Sequence, residues 1–67
     1  MRKELKNARK DMGLTVAEVC NMVDISPSFY YKIESGKRNP TIALAAKIAK
    51  VLEKRVEQLF FDEAADD

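Results

Sequence analysis

Apolar residues recur along this chain at three- and four-residue steps, in short runs, and no segment alternates apolar and polar for long. That pattern predicts helices throughout. The first spans roughly Arg2 to Met12, with Leu5, Ala8 and Met12 as its apolar stripe. Gly13 follows as a C-terminal cap, where left-handed backbone costs glycine little, and Leu14 re-enters the core. A second helix begins at Thr15. Thr15 and Glu18 have the spacing of a capping box, in which hydroxyl and carboxylate each take one orphan amide. Val16, Val19, Cys20 and Val23 supply its apolar face. It ends near Val23, with Asp24 in the turn, a residue type that tolerates left-handed backbone.

Ser26-Pro27 announces a third helix. Ser26 suits the N-cap, and Pro27 suits the first helical position, where an amide would have no partner. This helix runs to about Ser35 and stops at Gly36. Only Asp24 to Ser26 separate it from the second, the layout of a helix-turn-helix over about residues 16–35. A basic loop follows, Lys37-Arg38-Asn39, closed by Pro40. Thr41 caps a fourth helix, Ile42 to about Leu52, with Leu44, Ala45, Ile48, Ala49 and Leu52 facing inward. Glu53, Lys54 and Arg55 form a polar connector. Val56 to Phe61 reads as a short fifth helix, with Val56, Leu59 and Phe60 inward and Phe61 on the surface.

Composition narrows the possible chemistry. A chain of 67 residues has room for one small domain. Its single Cys cannot form an internal disulfide or build a zinc site alone, and without His no imidazole catalysis is possible. Cys20 reads as a buried, inert thiol. No apolar run approaches the length of a membrane span, and no leader pattern is visible. We therefore expect no enzyme activity, cofactor, metal, small-molecule ligand or membrane, and a cytoplasmic, nucleoid-associated protein. The net charge of +1 conceals an asymmetry. Asp62, Glu63, Asp66 and Asp67 make residues 62–67 an acidic tail, too polar to order itself. Residues 1–61, the expected domain, hold twelve basic and seven acidic side chains. Such a body attracts an anionic partner.

Three pieces of sequence stand at a telling spacing: Gly13-Leu14-Thr15, then Ile25-Ser26, then Ile33-Glu34-Ser35-Gly36-Lys37-Arg38-Asn39-Pro40. Together, over about residues 3–61, they resemble the Cro/repressor-type helix-turn-helix family, also called the xenobiotic-response-element family. The resemblance implies an all-α, compact five-helix bundle of the lambda repressor-like kind. It implies a third helix in the DNA major groove, and repressors or activators that bind double-stranded DNA as dimers. Two turn positions depart from the family. Asp24 and Glu53 stand where glycine or a similar residue is favoured, and Glu53 suggests that the fourth helix continues through Lys54.

The third helix has two faces. Tyr30 and Ile33 point inward, whereas Ser28, Tyr31, Lys32 and Ser35 share the other side. Helix geometry alone leaves that side open between solvent and a ligand. The resemblance implies groove contact, with Pro27, Ser28, Tyr31 and Lys32 touching bases. Lys32 can donate to guanine O6 and N7, Ser28 can donate or accept, Tyr31 can meet a thymine methyl, and Pro27 can make apolar contact. Lys37, Arg38 and Asn39 are expected at phosphates, which set register without reading sequence. Ser35 joins them. Thr15 and Val16 would offer helix N-terminal amides to a phosphate; Val16 replaces a Gln common in the family. Phe29 lies at the border between a DNA-backbone position and core or rim packing. Arg9 and Glu34 match a family pair that supports the reading helix. Phe61 is the expected dimer contact.

The leading reading is a sequence-specific DNA-binding transcriptional regulator, a repressor that binds an inverted-repeat operator as a dimer. The alternative is a protein-interaction module, antitoxin-like or anti-regulator, that keeps the fold without specific DNA binding.

Overall fold

The structure, a computed structural model, describes residues 1–61; the acidic tail read at 62–67 lies outside the described residues. Five helices follow one another: α1 (Lys3–Asp11), α2 (Val16–Val23), α3 (Pro27–Ser35), α4 (Ile42–Leu52) and α5 (Val56–Phe60). There is no strand among the described residues. The architecture is all-α, as the pattern predicts, and its five helices form the bundle that the resemblance implies.

Local chemistry accounts for most helix ends. Thr15 Oγ1 accepts from the Glu18 N–H at 3.1 Å, and Glu18 Oε1 accepts from the Thr15 N–H at 2.8 Å, completing the capping box. Ser26 Oγ accepts from the Phe29 N–H at 3.1 Å, with Pro27 at the first helical position. Thr41 Oγ1 accepts from the Leu44 N–H at 3.1 Å. Each such cap contributes about 1 kcal/mol. Gly13 and Gly36 take positive φ just past α1 and α3.

Two expectations about boundaries fail. The first helix does not include Arg2 or Met12. Arg2 is its N-cap and its side chain is drawn towards α3, while Met12 caps the other end and is 39% exposed. The inward line of α1 is Leu5, Ala8 and Arg9, and the chain turns away before position 12 can extend it. Nor does α4 continue through Lys54. Glu53 adopts left-handed backbone, φ 59 and ψ 42, and ends the helix. The N–H of Glu53 bonds the Lys50 carbonyl at 3.2 Å and that of Lys54 bonds the Ala49 carbonyl at 3.0 Å. These bonds satisfy carbonyls that α4 leaves open and hold a residue where glycine would be easier.

Leu5, Val19, Tyr30, Ile33, Ile48, Leu52 and Leu59 are fully buried and draw on all five helices. Cys20 is buried among them as a free thiol. Leu14, Val16, Leu44, Val56 and Phe60 pack around this centre while remaining half-buried. The first and last helices touch, as do α2 and α4, so the bundle closes on itself. That closure leaves α3 with one face against the core and one face free.

Candidate nucleic-acid interface

α3 buries Tyr30, Ile33 and Glu34. Helical periodicity then forces Pro27, Ser28, Tyr31, Lys32 and Ser35 outward, and all five are exposed. Tyr31 is 57% exposed, too open to serve as core. The turn from α2 into α3 depends on Asp24, whose left-handed φ of 62 lets the chain reverse in three residues. Phe29 is half-buried and packs on the core, so its ring sits at the rim of the interface rather than projecting from it.

A buried ion pair fixes α3 against α1. Arg9 Nε donates to Glu34 Oε2 at 2.9 Å, with both side chains nearly sealed from solvent. Arg9 Nη1 donates to the Leu14 carbonyl at 2.9 Å. One guanidinium thus ties α1, the turn before α2 and α3. The hydrogen bond to Glu34 holds the Arg9 pKa above its already high value, against the opposing effect of burial. Beside the pair lies the Tyr30 hydroxyl, buried and without a hydrogen-bond partner among the described residues. Burial first, and the Glu34 charge second, push the Tyr30 phenol well above its ordinary range. Burial likewise pushes the Cys20 thiol up, which keeps it protonated and unreactive.

An open groove of about 700 Å³ runs between α3 and the start of α2, with Tyr31 and Ser35 on one wall and Thr15, Val16 and Ala17 on the other. Lys6 of α1 also lines it. The Thr15 N–H is already taken by Glu18, so the anion-facing amides of α2 are those of Val16 and Ala17. The Thr15 hydroxyl accepts in the cap and keeps its own proton free to donate. Ser35 Oγ donates to the Lys32 carbonyl at 3.0 Å, so its hydroxyl must rotate before it can serve a phosphate.

Lys37, Arg38 and Asn39 are exposed beyond Gly36. Their loop is not free-standing. The N–H groups of Lys37 and Arg38 both bond the Lys32 carbonyl, at 2.9 and 3.2 Å, and Asn39 Oδ1 accepts from Arg2. Sequence reasoning overlooked Arg2 and Lys6. A signal existed, because positions 2, 6 and 9 form a basic line at steps of four and three. Phe61 stands apart from the groove. It is exposed beside an apolar cavity of about 240 Å³, which Ile42, Ala45, Val56 and Phe60 also line.

Known proteins are similar to this sequence. The family model described as helix-turn-helix matches residues 5–59. An uncharacterized HTH-type transcriptional regulator of Archaeoglobus fulgidus is 38% identical over 64 residues, covering 94% of this chain and 91% of that protein. The uncharacterized HTH-type transcriptional regulator YqaF of Bacillus subtilis is 38% identical over 52 residues, covering 78% of this chain and 68% of its own. The cryptic phage CTXphi transcriptional repressor RstR of Vibrio cholerae is 34% identical over 67 residues, covering all of this chain and 60% of the repressor. No solved structure gives a significant match. With the match spanning most of the chain and the two helices and their turn in place, this protein belongs to the Cro/repressor-type helix-turn-helix family.

Proposed function

We propose that this protein is a sequence-specific transcriptional regulator that represses by occupying an inverted-repeat operator as a dimer. The observation that carries the reading is the exposed face of α3, Ser28, Tyr31 and Lys32, held beside a groove with free amides and basic residues at its edge. That face suits the major groove, about 12 Å wide, which admits a helix and displays a distinct donor and acceptor pattern for each base pair. Relatives named as transcriptional regulators, one of them a phage repressor, support the same assignment. In this reading Pro27, Ser28, Tyr31 and Lys32 meet bases. Thr15, Val16, Phe29, Ser35, Lys37, Arg38 and Asn39 meet or flank the backbone.

Dimerisation is assigned to the face that carries Phe61. Ile42, 89% exposed, and Phe61, 58% exposed, flank the apolar cavity between the start of α4 and α5. The same patch on two copies forms a self-complementary contact. The molecule measures 33 × 22 × 19 Å. Binding to successive turns of an inverted repeat requires reading helices about 34 Å apart, one turn of DNA.

The test is selection of duplexes from a random pool, followed by titration of the winner from about 50 to 200 mM salt. An inverted repeat with steep salt dependence is the expected result. Lys32→Ala should relax preference at one position per half-site, whereas Arg38→Ala should weaken all DNA alike and reduce the salt slope by about one. No enrichment would move the assignment to a protein partner. Enrichment of unpaired half-sites would remove the dimer.

A further inference from the structure

Arg2 stands at the N-cap of α1, but its contacts lie elsewhere. Its main-chain N–H donates to the Glu34 carbonyl at 2.8 Å. Nη1 donates to the Ile33 carbonyl at 2.9 Å and reaches the Arg38 carbonyl at 3.4 Å. Nη2 donates to Asn39 Oδ1. The guanidinium carbon lies 5.5 Å from the centre of the Phe60 ring. One side chain therefore gathers the end of α3, the loop beyond it and α5. Its charge faces the C-terminal end of α3, where open carbonyls favour a cation.

The chemistry of the pairing fixes a second group. A guanidinium has donors and no acceptor, so the Asn39 oxygen must face it. The Asn39 amide nitrogen is then turned away from Arg2, with both of its hydrogens available to an anion. Asn39 is exposed, and both terminal nitrogens of Arg2 are already engaged by protein oxygens.

Resting on the DNA-binding reading above, we propose that Arg2 is a positioning residue for the loop of Lys37, Arg38 and Asn39. It orients the Asn39 amide and the loop backbone towards a phosphate while touching no phosphate itself. Its platform is Phe60, whose neighbour Phe61 carries the candidate dimer face, so the loop and that face share one support.

Salt separates positioning from contact. On the selected duplex, Arg2→Gln should bind about tenfold more weakly, as expected for loss of hydrogen bonds to a charged group. Its salt slope should equal that of the wild-type protein, whereas Arg38→Ala loses about 0.9 of slope for the phosphate it gives up. Adding Asn39→Ala to Arg2→Gln should cost little further, because the two residues act as one unit. Arg2→Lys keeps the charge but not the fork, and should bind nearly as weakly as Arg2→Gln. It also serves if Arg2→Gln loses helicity. A reduced salt slope, additive effects, full rescue by lysine or wild-type affinity would each overturn the proposal.

A measurement without DNA keeps the two readings apart. Amide hydrogen exchange at residues 36–39 should accelerate in either Arg2 variant relative to the rest of the chain. Unchanged exchange sinks the positioning role even if the wild-type protein binds its operator. Failure of the wild-type protein to enrich any duplex, with exchange accelerated as expected, sinks the DNA reading and removes the phosphate from the proposal.

Discussion

Tyr30 is the residue on which pH should act. It is fully buried and its hydroxyl meets no partner among the described residues. A phenol held protonated in the folded state, with its pKa raised from 10.0, stabilises fully below pH 10. That contribution declines as pH rises further, because the unfolded chain releases the proton first. Cys20, raised from 9.0 by burial, adds to the loss in the same direction. We expect urea unfolding of the wild-type protein to show stability falling above about pH 9 to 10, and Tyr30→Phe to flatten much of that fall. At neutral pH the same substitution should be neutral or stabilising by about 1 kcal/mol, since it deletes an unsatisfied polar atom without opening a cavity. Removing Arg9 or Glu34 should do the opposite: Glu34→Ala leaves a buried cation unpaired and should cost about 3–5 kcal/mol. Single positions differ in how readable they are. The burial of Tyr30 follows from helical period, and so does the exposure of Tyr31. The pairing of Arg9 with Glu34 is legible only through family resemblance, because 25 residues separate them. The role of Arg2 is not legible locally, since its side-chain hydrogen-bond partners lie 31 to 37 positions away and Phe60 farther still.

At the scale of the helices, boundaries set by side-chain caps are the ones the sequence reveals. Thr15, Ser26 and Thr41 each have a hydroxyl three residues before the amide it accepts from, and each marks a helix start. Boundaries set by backbone conformation are harder to read. Glu53 carries no local mark of a left-handed turn, and a strong helix former at that position suggests continuation. Tertiary packing overrides that preference, because Leu52 and Leu59 must both face the core across the turn. The conformation has a cost for any side chain. Glu53→Gly should therefore stabilise the protein by roughly 1 kcal/mol, the order of the penalty for left-handed backbone. Thermal unfolding by circular dichroism checks it, and a lower melting temperature would show that Glu53 contributes something the turn needs. Asp24 should gain less from the same change, since Asp tolerates this region better.

For the whole molecule, the separation of two faces matters most. The exposed side of α3 lies along one groove and Phe61 and Ile42 along another cavity, and the loop beyond α3 borders the second through Asn39 and Pro40. Phe61→Lys places a charge on the second face without touching the core. It should leave the monomer's unfolding free energy within about 0.5 kcal/mol of the original, as for most surface changes. It should also abolish cooperative binding to an inverted repeat while a single half-site is still bound; equilibrium sedimentation and titration on both duplexes measure this. Unaltered cooperativity would locate the dimer contact elsewhere. The basic body was readable from charge counting, but its distribution was not. Lys6 lines the groove because α1 packs against α3, a fact of packing rather than of composition.

The contact between the first and last helices has a consequence for how the molecule is made. Arg2 leaves the ribosome before α2, α3 and α4, and Phe60, on which it rests, follows them. Until α5 arrives, Leu5 and Ala8 lack part of their cover and the loop beyond α3 lacks its support. A growing or truncated chain therefore has α3 already tied to α1 by Arg9 and Glu34, but carries a loop beyond it that lacks the platform of Phe60. That loop gains its support only when α5 packs against α1.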